Sequence, residues 1–260
     1  MFELSVNIEY MFHEVGEDLA DRVRAAAAAG YRKVELFNTA GKDLASLKAA
    51  LDEHGVTVWT AVTDPRIALF DPENHAGFIE SFRRAAEDAR LLGCGQLVVP
   101  SGIGVPFLKR PVQLENVARA IAAAADIAEE LDIVILLEAV NTRVDHPGVL
   151  FSRTEDSVSV ARAVDSPRVR VLYDLYHSIT EGENPFEVLP QASELVAHVQ
   201  IADVPGRGEP GSGTVDWPAM LELLASTGYS GTLGVECNPT RHSTAAALEY
   251  IRELCTELPA

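Results

Sequence analysis

Residues 133–177, IVILLEAVNTRVDHPGVLFSRTEDSVSVARAVDSPRVRVLYDLYH, hold one complete repeat of the pattern on which this chain is built. An apolar, β-branched run, Ile133–Leu137, stops on Glu138. A loop containing Pro147 and Gly148 follows, then a segment with Val160 and Val164 at helical spacing. A second apolar run, Val169–Tyr173, stops on Asp174. Strand, helix and strand in this order make a parallel unit, and a parallel strand is buried on both faces. A carboxylate that interrupts such a strand is costly unless it is paired or holds a metal, so Glu138 and Asp174 mark a place where chemistry outweighs packing.

The same alternation extends both ways. Strand runs start near Phe2, Tyr31, Val56, Gln96, Ile133, Val169, Val196 and Gly231, about 33 residues apart, which is the length of a strand-helix unit with its loops. Between them stand apolar residues at helical spacing, as in Leu19/Val23/Ala27, Leu44/Leu47/Leu51, Phe78/Phe82/Ala85/Ala89 and Trp217/Leu221/Leu224. Leu248/Ile251/Cys255 repeats the spacing at the end. Several helices should close on Gly30, Gly55, Gly93 and Gly228, where a left-handed residue ends a helix cheaply. Eight units in 260 residues fit an α/β fold of one domain spanning 1–260, either a (β/α)8 TIM barrel or an open doubly wound sheet. Late polar residues favour the barrel. Glu138, Asp174, Gln200 and Glu236 end strands five to eight, which are neighbours in a barrel, and barrel enzymes place their chemistry at the carboxyl ends of their strands.

Three carboxylates and an amide oxygen form a hard donor set suited to Mg²⁺ or Mn²⁺. Each carboxylate alone could equally cap a helix or pair with a cation. His177 opens the loop after strand six, where it can hydrogen-bond a substrate. Arg207 lies in the Gly/Pro-rich loop Ile201–Thr214, whose plain alternative reading is a flexible connection, and its guanidinium could hold a carboxylate or a hydroxyl. Arg143, after strand five, is a second cation of the same kind, with a surface ion pair as its alternative.

Composition removes other classes. Twenty-one Lys and Arg against 39 Asp and Glu give a net charge of −18, the wrong sign for nucleic acid or an anionic membrane. Cys94, Cys237 and Cys255 have neither the number nor the spacing of a disulfide framework or a thiolate zinc site, which suits a reducing cytoplasm. The N-terminus lacks the features of a signal peptide, and no apolar run is long enough to span a membrane. No lysine ends a strand, so a Schiff base has no nucleophile, and GxSxG is absent. Cys237 follows Glu236 directly and should point to the opposite face, into packing.

Glu138–Gly148 (EAVNTRVDHPG), Leu172–His177 (LYDLYH) and above all Gln200–Gly213 (QIADVPGRGEPGSG) resemble the hydroxypyruvate isomerase family of xylose-isomerase-like barrels. The resemblance covers almost the whole chain. It implies a divalent metal held by Glu138, Asp174, Gln200 and Glu236, with Glu138 and Glu236 also serving as the acid/base pair. Many members carry Lys where this chain has Asn238, so a neutral or weakly anionic sugar-like substrate is expected to serve at least as well as hydroxypyruvate.

The leading expectation is therefore a metal-dependent isomerase that interconverts a small hydroxy-aldehyde and hydroxy-ketone by proton transfer through an enediolate. A ketose 3-epimerase or a dehydratase could use the same site. A metabolite-binding barrel without activity should show a broken ligand position, whereas all four are filled. An endonuclease on this fold would need more histidines and a basic face. The expected partner is a small hydroxy-carbonyl substrate, and the sequence leaves room for a homo-oligomer.

Overall fold

The computed structural model describes residues 2–64 and 66–257. Eight strands, β1 (Leu4–Asn7), β2 (Lys33–Leu36), β3 (Thr57–Val62), β4 (Gln96–Val99), β5 (Val134–Glu138), β6 (Val169–Asp174), β7 (Val196–Ile201) and β8 (Leu233–Val235), close into a barrel in chain order. Every neighbouring pair is parallel, and β1 joins β8 through Leu4, Ser5 and Val6. Closure settles the choice that the strand count left open: the chain is a single TIM barrel.

Seven helices take the expected segments: α1 (Leu19–Ala28), α2 (Leu44–His54), α3 (His75–Leu91), α4 (Arg110–Glu130), α5 (Thr154–Val164), α8 (Trp217–Ser226) and α10 (Glu249–Glu257). The helical spacing did not announce α6 (Leu175–Glu181), α7 (Pro185–Ala192) or the short α9 (Thr244–Ala247). α6 buries polar as well as apolar residues, so it has no apolar stripe to detect. Gly30, Gly55, Gly93 and Gly228 all take positive φ, as helix closure requires.

Two apolar regions hold the barrel. The larger fills the space between strands and helices, with Trp217, Phe82 and Leu51 fully buried. The smaller lies inside the barrel, where Val98, Leu136 and Leu172 pack with Val62, Val134 and Ala197. Side chains alternate along a strand, so Val134, Leu136 and Glu138 share one face of β5, and Leu172 shares a face of β6 with Asp174. The other half of the interior is polar, with Ser5, Glu35 and His198 buried together. Among the described residues no helix is long and apolar enough to cross a membrane.

Candidate active site

The carboxyl ends of the barrel strands and the loops after them enclose a cavity of about 720 Å³. Glu138, Gln200, Glu236, His177 and Arg207 line it together with Tyr10, Phe37, Arg66, Asp145 and His146. Val62, Val98, Ile103 and Val149 form an apolar wall.

Asp174 does two things at once. As the N-cap of α6, its Oδ1 accepts the His177 amide at 2.8 Å. Its Oδ2 stays within 4.0 Å of both His177 Nε2 and Arg207 Nη2. The capping reading of this residue is realised through one oxygen, and the other oxygen faces His177 and Arg207. Ligand atoms of Glu138, Asp174 and His177 lie within 4.8 Å of one another, which makes a candidate acidic metal site.

His177 is set by its neighbours. Nδ1 accepts the Asn141 backbone amide at 3.2 Å, so the proton sits on Nε2. Burial, reinforced by Arg207, His146 and Arg66, holds this imidazole well below the ordinary histidine range. It is a neutral ring that offers one N–H to the site. Asn141 Oδ1 also accepts the amides of Val144 and Asp145, which winds the loop after β5 into a tight turn. Asp145 then accepts from the Tyr176 hydroxyl at 2.8 Å.

Arg207 is buried, with φ 56°, and its guanidinium lies between the rings of Tyr10 and Tyr176, 5.2 and 5.1 Å from their centroids. Nη2 donates to Glu236 Oε1, while Glu236 Oε2 accepts from Asn7 at 3.1 Å and from Gln200 Nε2 at 2.8 Å. The loop that carries Arg207 is not a loose connection. The buried carboxylate of Asp203 gathers it by accepting the amides of Val204, Gly211 and Val215 and the indole N–H of Trp217. A Cβ on Gly213 would collide with that carboxylate, which is why the loop needs glycine there. Asn238, on the β8 side, donates its amide to the Arg207 carbonyl at 2.8 Å.

Charge is crowded here. Burial raises all three carboxyls, Asp174 to about 6 and Glu236 to about 7, with Arg207 holding both down in part. Glu138 is raised well above the usual range by burial and then by Asp174 and Glu236. Gln200 Nε2 donates to the carboxylates of Glu35 and Glu236, both at 2.8 Å, and its Oε1 is buried without a partner. Three carboxyls short of positive charge and an unused amide oxygen are what a divalent cation would satisfy, so the residues present fit one.

Arg143 needs correction. It is exposed, does not line the cavity, and its guanidinium fills the space that a Cβ on Gly182 would need. The chain turns at Asn141 and sends residue 143 outward. Arg66, in the loop after β3, lines the cavity in its place and was not singled out from the sequence, since nothing local marks a loop arginine as facing inward. Asn7, Tyr10 and Glu35 were given no role in the site for a related reason: their partners are far away in the chain. Cys237, two residues past the end of β8, is fully buried in the core.

Residues 23–254 match the family model described as xylose isomerase-like TIM barrel. The chain is 32% identical to a 2-oxo-tetronate isomerase of Cupriavidus necator, with 97% of this chain and 98% of that one covered. It is 33% identical to a human protein provisionally named hydroxypyruvate isomerase, with 95% and 93% covered. A solved structure named AP endonuclease, family 2, from Brucella melitensis superposes with a TM-score of 0.89 at 30% identity, covering 97% and 99%. The chain belongs to the xylose isomerase-like TIM-barrel family and, within it, to the hydroxypyruvate isomerase family of enzymes.

Proposed function

We propose that the protein is a metal-dependent isomerase that moves a carbonyl between adjacent carbons of a short, carboxylate-bearing hydroxy-carbonyl compound, between ketone and aldehyde for one of the hydroxypyruvate kind and between two ketones for one of the 2-oxo-tetronate kind. The observation that carries this reading is that Glu138 and Glu236 face one cavity with His177 and Arg207 between them in the chain and beside them in space. Moving a carbonyl to the adjacent carbon takes a proton from one carbon and returns it to the next, through an enediolate. One carboxylate removes that proton and the other returns it. Carboxyls raised by burial toward neutral pH are suited to both halves of that exchange. His177 Nε2–H donates to a substrate oxygen, and Arg207 holds Glu236 in place while adding positive charge beside the developing oxyanion.

Glu138, Asp174, Gln200 through Oε1 and Glu236 would hold a divalent cation, with Mg²⁺ or Mn²⁺ suited to an all-oxygen set. When bound, it would supply Lewis-acid stabilisation of negative charge on the substrate oxygens. Arg66 at the mouth makes no ion pair among the described residues and provides the counter-charge for a substrate carboxylate that Asn238 does not. The relatives named for oxo-acid isomerisation fit that assignment. A net charge of −18 has the wrong overall sign for a nuclease reading.

The test is conversion of hydroxypyruvate and 2-oxo-tetronate with Mg²⁺ or Mn²⁺ in D₂O, followed by NMR. Migration of the carbonyl to the adjacent carbon, giving an aldehyde from hydroxypyruvate and a second ketone from 2-oxo-tetronate, with deuterium entering at the carbon that loses its carbonyl, is expected, and Glu236→Gln should lower turnover by roughly 10²–10⁴-fold. Inversion at a carbon without carbonyl migration would make the enzyme an epimerase. Near-native turnover in Glu236→Gln would assign the proton transfer to another group.

A further inference from the structure

Beneath the cavity floor the barrel interior is divided. On the side of β4 to β6 it is apolar, through Leu136 and Leu172, which pack with Val98 of the cavity wall. On the side of β8, β1, β2 and β7 it holds a buried polar group centred on Glu35, which is fully enclosed and whose carboxylate hydrogen-bonds one residue of the cavity lining, Gln200. Glu35 Oε1 accepts from the Ser5 hydroxyl at 2.5 Å and from His198 Nε2 at 2.8 Å. His198 Nδ1 in turn accepts the Trp59 indole N–H at 3.3 Å, which leaves the ring proton on Nε2, pointing at Glu35. Glu35 Oε2 accepts from Gln200 Nε2. Gly234 makes this possible, because a Cβ there would collide with the Glu35 carboxylate.

A carboxylate ringed by donors in this way accepts and never donates. The two hydrogens of the Gln200 amide are taken up by Glu35 and Glu236, so its oxygen must face the other way, and that oxygen is the buried atom without a partner. We propose that Glu35 is a positioning residue that fixes the orientation of the Gln200 amide and thereby makes position 200 an oxygen donor to the cation. The inference rests on the metal reading above. Its physical content is donor and acceptor counting. A glutamine at position 35 offers one oxygen and one NH₂. The two donors Ser5 and His198 would claim the oxygen, turning the NH₂ toward Gln200. Gln200 would then rotate its oxygen to meet that NH₂ and present its own NH₂ to the cavity, where it repels a cation.

Two measurements test this on the full-length protein. First, the Gln200 side-chain amide protons are observed by ¹⁵N NMR and identified by their absence in Gln200→Ala. They should exchange slowly with solvent in the parent and faster in Glu35→Gln. Exchange at the solvent rate in the parent, or no change in a folded Glu35→Gln, overturns the orientation claim whether or not any metal binds. Second, Mn²⁺ affinity is measured by calorimetry or electron paramagnetic resonance, with melting curves to verify folding. Glu35→Gln should weaken binding roughly 10–100-fold. Adding it to Gln200→Ala should change affinity by no more than roughly twofold, because the group through which it acts is gone. Unchanged affinity in Glu35→Gln, or additive losses in the double variant, would show that Glu35 serves the fold alone. Absence of Mn²⁺ and Mg²⁺ binding in the parent would instead sink the metal reading, with the exchange experiment still deciding the role of Glu35.

Discussion

Under the proposed function, two arginines that line the cavity would divide the work of recognising charge. Arg207 is committed to Glu236, near Asp174, and lies close to the rings of two tyrosines, so under the proposed function it would act on the reacting end of the substrate. Arg66 is exposed and makes no ion pair among the described residues, so it is available to a substrate carboxylate. Arg66→Ala should raise KM for an oxo-acid substrate roughly 10-fold or more with a smaller effect on kcat, since a charge-assisted pair contributes about 1.5–3 kcal/mol. Arg207→Ala should lower kcat itself. Steady-state kinetics of both variants decide the assignment, and an unchanged KM in Arg66→Ala would place the carboxylate elsewhere. At this scale the sequence showed the residues that end strands, because a charge in a buried strand persists only where a partner or a bound ion offsets its desolvation. It could not show Arg66, nor that Arg143 turns outward, because neither carries a local signal of direction.

The loop between β7 and α8 is the element whose behaviour departs furthest from its composition. Glycine and proline suggested a flexible connection, yet the buried Asp203 carboxylate, accepting from Trp217 and three backbone amides, holds the segment as one unit. Burial alone would raise the Asp203 carboxyl, but those hydrogen bonds keep it below the ordinary range. Asp203→Ala would strand several buried donors and should cost about 2–4 kcal/mol, read as a lower Tm. Turnover should fall with it, because Arg207 is placed by this loop. Full activity in a destabilised Asp203→Ala would show that Arg207 finds its position without the loop's internal bonds. The strands and most helices were legible from period and from glycine closure. α6 was not, because its buried face carries His177, Ser178 and Glu181, and the helix is started by a site residue, Asp174.

For the whole molecule, the crowded carboxyls link stability to protons and cations. Asp174 and Glu236 hold protons up to about pH 6 and 7, above the unfolded values near 4. Their contribution to stability is therefore complete below about pH 4 and is lost as pH rises through 6 to 7. His177, held neutral by burial, works the other way below its unfolded value. The informative quantity is thus the difference in Tm between Mg²⁺- or Mn²⁺-loaded and chelator-treated protein, in which the histidine contribution largely cancels. That difference should grow from about pH 5 to about pH 7.5, as the cation no longer competes with protons for the carboxylates. Equal differences at both pH values would place the cation away from Asp174 and Glu236. The sequence by itself determined the repeat of eight units, the single domain and the polar residues that end strands five to eight, because period and residue polarity are local properties of a chain. Barrel closure, the inward path of Arg66, the double use of Asp174 and the carboxylate beneath Gln200 were decided only by the tertiary structure. Each depends on groups from separate strands and loops meeting in a shared interior, and 165 positions separate Glu35 from Gln200.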